Sequence, residues 1–239
     1  MELNRPMLKQ QARGLIQTAN PSPFVAAAIF MALSAVFSLL SSRLVGISYT
    51  TLERAVRFME QGNTDYAVNV VLSNAPSPAA HLINLLLELS LTVVRVGFIL
   101  FILNTVRGTG AVLGNLLDGF GRLWKILLLQ LVSAALIFLW SLLLIVPGIV
   151  AAYRYSMAWY VLLDHPDYGV TDCLRESKRI TQGRKMELFQ LDLSFLGWIV
   201  LAGLPYIGFV AGLWFTPYYT TTLALYYERL SGHVMDGTA

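Results

Sequence analysis

Charge is scarce in this chain. Asp, Glu, Lys and Arg make up 13% of its 239 residues, about half the share of an ordinary soluble domain. Apolar residues reach 56% and the mean hydropathy is +0.62, an excess that a water-soluble core cannot absorb. Cysteine is nearly absent: Cys173 alone leaves no intrachain disulfide and no thiolate metal site. The patterns HExxH, CxxC, GxSxG and a glycine-rich phosphate loop are missing, so the sequence carries no recognisable hydrolase or nucleotide-binding motif. Asp164-His165-Pro166-Asp167 holds metal-capable side chains, but Pro166 marks it as a turn, and no metal or other cofactor is expected. The formal charge is only +3 and the basic residues are dispersed between apolar segments. Nucleic acid is therefore not an expected partner.

What the chain does have is long apolar runs. About 20 helical residues cross the ~30 Å hydrocarbon layer, and the sequence predicts spans at about 24–45, 80–106, 123–146, 149–163, 187–204 and 206–227. The first exceeds a secretory h-region and lacks a small-residue cleavage site, so it reads as an uncleaved span. Residues 5–18 set Leu8, Ala12, Leu15 and Ile16 among Arg5, Lys9 and Arg13 and read as an interfacial amphipathic helix ending at Asn20-Pro21. Residues 170–182 read as a second surface helix, with Gly183 as its stop. Between the first two spans lies a polar stretch with a short helical pattern around 51–59. The predicted class is all-α: one polytopic membrane domain over 1–239, with six spans and amphipathic surface helices.

Twelve Lys and Arg residues flank one side of this arrangement, and Arg43, Arg54 and Arg57 the other. The positive-inside rule puts the twelve, and both termini, in the cytoplasm. Trp140 precedes Pro147 by seven residues and Trp198 precedes Pro205 by seven, each after a basic amphipathic segment. That spacing suggests a repeat of surface helix and hairpin, and chance is the competing account.

Three constellations stand out. In the second span, His81, Asn84, Glu88, Thr92 and Arg95 fall within one stripe at 100° per residue. An ionisable residue in hydrocarbon costs at least ~2.5 kcal/mol, so the stripe is expected to face a bundle interior or a wet cavity. Both a polar pathway and a structural interhelical cluster fit. Arg154, inside the fourth span, lies at a depth similar to that of Glu88 by helical rise and is the expected partner of that carboxylate. In the sixth span, Gly208 and Gly212, continued by Thr216 and Thr220, read as a close-packing face. Pro217 should bend the helix, with Thr216 or Thr220 placed to compensate. On the second surface helix and just beyond it, Arg175, Lys178, Arg179, Arg184 and Lys185 are candidate lipid headgroup contacts. Trp159, Tyr160, Tyr218, Tyr219, Tyr226 and Tyr227 fit interfacial belts.

The stretch from Trp140 to Met157, WSLLLIVPGIVAAYRYSM, and the run through Ser177, Gly183, Phe189, Leu193-Ser194-Phe195-Leu196-Gly197-Trp198, Pro217-Tyr218 and Tyr227 resemble a known family. It is the group of bacterial integral membrane proteins called domain of unknown function 975. More distantly, the chain is similar to the membrane domain attached to some glycerophosphodiester phosphodiesterases, without their catalytic domain. The resemblance implies a helical fold in a bacterial cytoplasmic (plasma) membrane and brings no activity with it. Two functions are consistent with the residues. One is a non-enzymatic accessory or scaffold engaging membrane lipids or other membrane proteins. The alternative is a small transporter or channel using the polar stripe.

Overall fold

The computed structural model describes residues 5–46, 49–204 and 207–232, and all its regular elements there are helical. Three stretches are helical, long and apolar enough to cross a membrane: Pro23–Val45, Pro78–Arg107 and Asn115–Leu143. They leave Val36, Leu39, Leu131, Phe138, Leu142 and Leu143 half or more exposed. A protein in water rarely tolerates apolar surface on that scale; lipid makes it unremarkable.

The described residues fall into two compact units, Met1–Met31 with Val93–Ala239, and Ala32–Thr92. The second unit contains α3 (Tyr49–Glu60) and α4 (Thr64–Ser73). Gly62 takes φ +75° between them, the left-handed region open to glycine. Asn63 then caps α4, its side chain accepting the Tyr66 N–H at 3.3 Å. The sequence pattern showed only the first of this pair. Two further helices run between the units, α2 (Pro23–Val45) and α5 (Pro78–Arg107).

The first unit begins with α1 (Arg5–Thr18), which buries Leu8, Ala12 and Ile16, three residues at a spacing of four and so on one face. The C-terminal half of α5 is the core of this unit, with Val93, Val96, Phe98, Phe101, Ile102 and Leu103 buried. Gly97 lets the next segment approach. A Cβ there would lie 2.2 Å from the Leu116 carbonyl oxygen, in the short helix α6 (Asn115–Asp118). Asn115 fixes that segment, accepting the Val112 N–H at 3.0 Å and donating to Asp118 at 2.6 Å. A 3-10 turn follows at Gly119–Arg122.

Next come α7 (Leu123–Leu143) and α8 (Ile145–Tyr155). The reversal between them lies at Leu144, whose backbone is extended (φ −164°, ψ 154°), not at Pro147-Gly148 as the sequence suggested. Pro147 sits instead in the first turn of α8, where its missing N–H costs no helical hydrogen bond. Gly148 is the contact point: a Cβ would meet Ser141 Oγ at 2.2 Å.

The fourth and fifth predicted spans are each broken. The fourth is α8 followed by α9 (Ala158–Asp164), and the fifth is α11 (Lys185–Leu193) followed by α12 (Leu196–Ala202). Both breaks fall at a serine whose hydroxyl bonds the carbonyl three residues back, Ser156 to Tyr153 at 2.9 Å and Ser194 to Leu191 at 2.5 Å. Such side-chain bonds compete with helix continuation. The amphipathic α10 (Val170–Ile180) lies between these pairs, and Gly183 turns the chain after it at φ +76°. The last helix, α13 (Ile207–Ser231), runs through Pro217. Pro205 and Tyr206, part of the proposed repeat and of the sixth span, lie outside the described residues.

Candidate functional site

The polar interior of the first unit is built from carboxylates held by tyrosines and one arginine. Arg107, at the end of α5, donates from Nε to Glu228 Oε1 at 2.8 Å. Its Nη2 lies 2.7 Å from that oxygen and 2.8 Å from Asp164 Oδ1. Tyr227 donates to the other oxygen of Asp164 at 2.9 Å. On α11, Asp192 accepts from Tyr153 at 2.9 Å and from Tyr219 at 2.8 Å, and Glu187 accepts from Tyr226 at 3.0 Å. Asp164, Glu187, Asp192 and Glu228 therefore each have a donor, as burial of charge requires.

None of these groupings was read from the sequence. Tyr219, Tyr226 and Tyr227 were assigned to interfacial belts, yet Tyr226 and Tyr227 are fully buried and all three clasp carboxylates. A signal existed: Tyr219 and Tyr226 are seven residues apart, hence on one helix face, in a chain whose acids outside the loops are few. Asp192 is held by two tyrosines, Tyr153 and Tyr219.

α10 is seated by its neutral face. Cys173, Leu174, Ser177 and Ile180 are buried. Ser177 Oγ donates to the Arg154 carbonyl at 2.9 Å, and Thr181 Oγ1 approaches the same oxygen at 3.3 Å. Burial, with Asp172 adding to it, pushes the Cys173 thiol up to about 11. The outward face carries Arg175, Lys178 and Arg179. Arg175 pairs with Asp172 at 3.1 Å, Arg179 with Glu176 through Nε at 2.8 Å, and Arg184 with Glu187 at 3.6 Å. The hydrogen bond from Arg179 holds Glu176 below the ordinary carboxylate range. Lys178 and Lys185 make no ion pair among the described residues. The five candidate headgroup residues are thus three arginines partly neutralised by neighbouring acids and two free lysines.

The Arg154 guanidinium carbon stands 5.9 Å from the Trp140 ring centroid, and its Nε is buried with no hydrogen-bond partner among the described residues. Trp140, singled out for its spacing from Pro147, is thus a cation–π neighbour of this arginine. Along α5, His81, Glu88 and Arg95 are exposed, while Asn84 and Thr92 are half-buried. The Asn84 Oδ1 is buried without a donor among the described residues, and Thr92 donates back to the Glu88 carbonyl at 3.0 Å. His81, Asn84, Glu88 and Thr92 belong to the second unit, and Arg95 and Arg154 to the first.

In α13, a Cβ on Gly208 would lie 2.3 Å from the Ala202 carbonyl oxygen, and one on Gly212 would lie 2.8 Å from Met31 Cε. Both glycines mark close approaches. Thr216 and Thr220 are half-buried and make no side-chain hydrogen bond among the described residues. The hydroxyl that folds back near Pro217 is that of Thr222, bonded to the Tyr218 carbonyl at 2.7 Å.

Asp164 is committed to Arg107 and Tyr227, and His165 stacks on Tyr168 at 4.5 Å. No three His, Cys, Asp or Glu side chains gather in metal-binding range among the described residues. No curated protein and no solved structure gives a significant match to the chain. Residues 142–233, from the end of α7 through α13, match a family described as protein of unknown function (DUF975).

Proposed function

We propose that this chain is a non-enzymatic multi-pass module of the bacterial cytoplasmic membrane that presents basic helices to acidic headgroups of lipids. It would serve as an accessory or scaffold for membrane partners. In this reading six segments span the bilayer, the fourth and fifth as the broken pairs α8–α9 and α11–α12, with both termini in the cytoplasm. The exposed apolar surface of α2 and α7 and the concentration of Lys and Arg on one side of the predicted topology support it.

The observation that carries the reading is how α10 is held. Ser177 and Thr181 bond the Arg154 carbonyl, so the helix is fixed with Arg175, Lys178 and Arg179 facing out. Residues 170–185 carry five basic and two acidic side chains, a net of three positive charges. At about 1 kcal/mol per basic residue near an anionic surface, that is roughly 3 kcal/mol of preference for acidic lipid. The test is native mass spectrometry of the protein with mixed phosphatidylglycerol and phosphatidylcholine. The triple variant Arg175→Gln, Lys178→Gln, Arg179→Gln should lose most of the preference for phosphatidylglycerol. An unchanged preference refutes the role of α10.

A further inference from the structure

The basic residues of this chain meet different fates. Arg107 is taken up by Asp164 and Glu228, Lys125 by the Pro166 carbonyl, Arg229 by Gln11 at 2.7 Å, and the arginines of α10 by their own acids. Arg5, Lys9 and Arg13 form a row of their own. They stand at a spacing of four along α1, about 60° round from its buried row. None of them has a carboxylate within ion-pair distance among the described residues.

All three line one open groove of about 680 Å³, completed by Gln10, Ser194 and Tyr218. Lys9 Nζ donates to the Ser194 carbonyl at 3.0 Å and lies 3.9 Å from the Phe195 ring centroid, which fixes its position. Arg13 lies over the Tyr218 ring at 5.2 Å. Tyr218 is 2% exposed, and its hydroxyl is buried with no hydrogen-bond partner among the described residues. Its neighbours on α13 show what a buried hydroxyl here ordinarily does, since Tyr219, Tyr226 and Tyr227 each donate to a carboxylate. An orphaned hydroxyl on a residue that lines the same groove as three cations without an acid among the described residues lacks an acceptor, and an anion supplies one.

We propose that the groove between α1, the Ser194 turn and α13 binds a phosphate dianion, as the monoester headgroup of an anionic lipid or as free phosphate. Three cations more than balance the two negative charges of a phosphate dianion, and its terminal oxygens accept hydrogen bonds from them and from the hydroxyl. Entry of the ligand exchanges the contact of Arg13 with the Tyr218 ring for one with phosphate oxygen and gives the hydroxyl its acceptor. Burial, and then the charges of Arg13 and Arg5, hold Lys9 below its ordinary value. A bound anion relieves the repulsion part of that. The inference rests on the proposed engagement of acidic lipid but assigns it a distinct, saturable site away from α10.

The experiment uses the full chain in phosphatidylcholine nanodiscs. One arm adds phosphatidic acid, a monoester, against phosphatidylglycerol, a diester, and counts retained lipid by native mass spectrometry. The other titrates inorganic phosphate by calorimetry. Saturable one-to-one binding of phosphatidic acid alone identifies a lipid headgroup site, and binding of both ligands identifies a phosphate site. Tyr218→Phe keeps the ring and should weaken binding about tenfold, the loss of one hydrogen bond to a charged group, without lowering the melting temperature of the ligand-free protein. Arg5→Gln and Arg13→Gln should weaken it as well, whereas the α10 triple variant should leave it unchanged. Absence of saturable binding of either ligand overturns the proposal. So does unchanged affinity in Tyr218→Phe, or a fall in its ligand-free melting temperature, which would mean that the hydroxyl has a partner within the protein. Loss of binding in the α10 variant alone would overturn the site while leaving the broader reading intact.

Discussion

Replacing Arg107 with glutamine removes the cation that two buried carboxylates share. Asp164 and Glu228 are 9% and 8% exposed, Arg107 is 25% exposed, and its Nη2 lies 2.8 and 2.7 Å from the two acids. Their oxygens are therefore within about 5.5 Å of one another. Without the guanidinium, two like charges at that separation repel by about 3 kcal/mol at an effective dielectric constant of about 20. Breaking a buried ion pair ordinarily costs about 3–5 kcal/mol, and the partial exposure of Arg107 favours the lower end. A loss of about 3 kcal/mol corresponds to roughly 6–12 °C in a chain of this size. Tyr227→Phe removes one hydrogen bond from Asp164 and should cost only about 1 kcal/mol. Adding Glu228→Gln to Arg107→Gln should recover part of the loss, because it removes one of the two opposed charges. Differential scanning fluorimetry in mild detergent reads these variants, the Glu228→Gln single variant and the parent. An Arg107→Gln variant that melts within about 1 °C of the parent, or a double variant that is simply additive, refutes the reasoning.

Three further outcomes follow from the packing. Gly97→Ala should destabilise by about 1–3 kcal/mol, since its Cβ meets the Leu116 backbone at 2.2 Å. Gly212→Ala meets only the mobile end of Met31 and should cost less than about 1 kcal/mol in the same melts. Cys173 is fully buried with its thiol pushed up to about 11, so maleimide should leave it unlabelled in the folded protein near neutral pH and label it after unfolding in detergent. Because Glu176 is held below its usual range by Arg179, the contribution of that pair persists as pH falls and is lost only through the lowered value. Glu176→Gln should remove this acid-dependent step from a pH series of melting temperatures.

The surface helices were legible in the sequence because their signal is local. Leu8, Ala12 and Ile16 repeat every four residues between charges, and α10 alternates a neutral face with basic residues, so periodicity alone bounds both helices within a residue or two. The three long apolar helices were legible for the same reason. The breaks at Ser156 and Ser194 were not, since serine is common in membrane helices and Ser42 makes the same bond to the carbonyl three residues back inside the unbroken α2. The polar interior was the least legible. Arg107 and Glu228 are 121 residues apart and Tyr227 and Asp164 are 63 apart, and such pairs follow from tertiary packing that no window of sequence reports. The groove beneath α1 shows the division. Its cations were evident among the apolar residues of 5–18, and the Tyr218 hydroxyl in the same groove became visible only once α13 was seated against α1.

The sidedness of the two units' exposed elements tests the account most directly. Gln61, between α3 and α4, and Lys178, on the outer face of α10, are both exposed, and the buried Cys173 gives no background. Cysteines placed singly at these positions in intact cells should behave oppositely toward a membrane-impermeant maleimide. The account predicts labelling of Gln61→Cys from outside and of Lys178→Cys only after the membrane is opened. Labelling of both from the same side contradicts it.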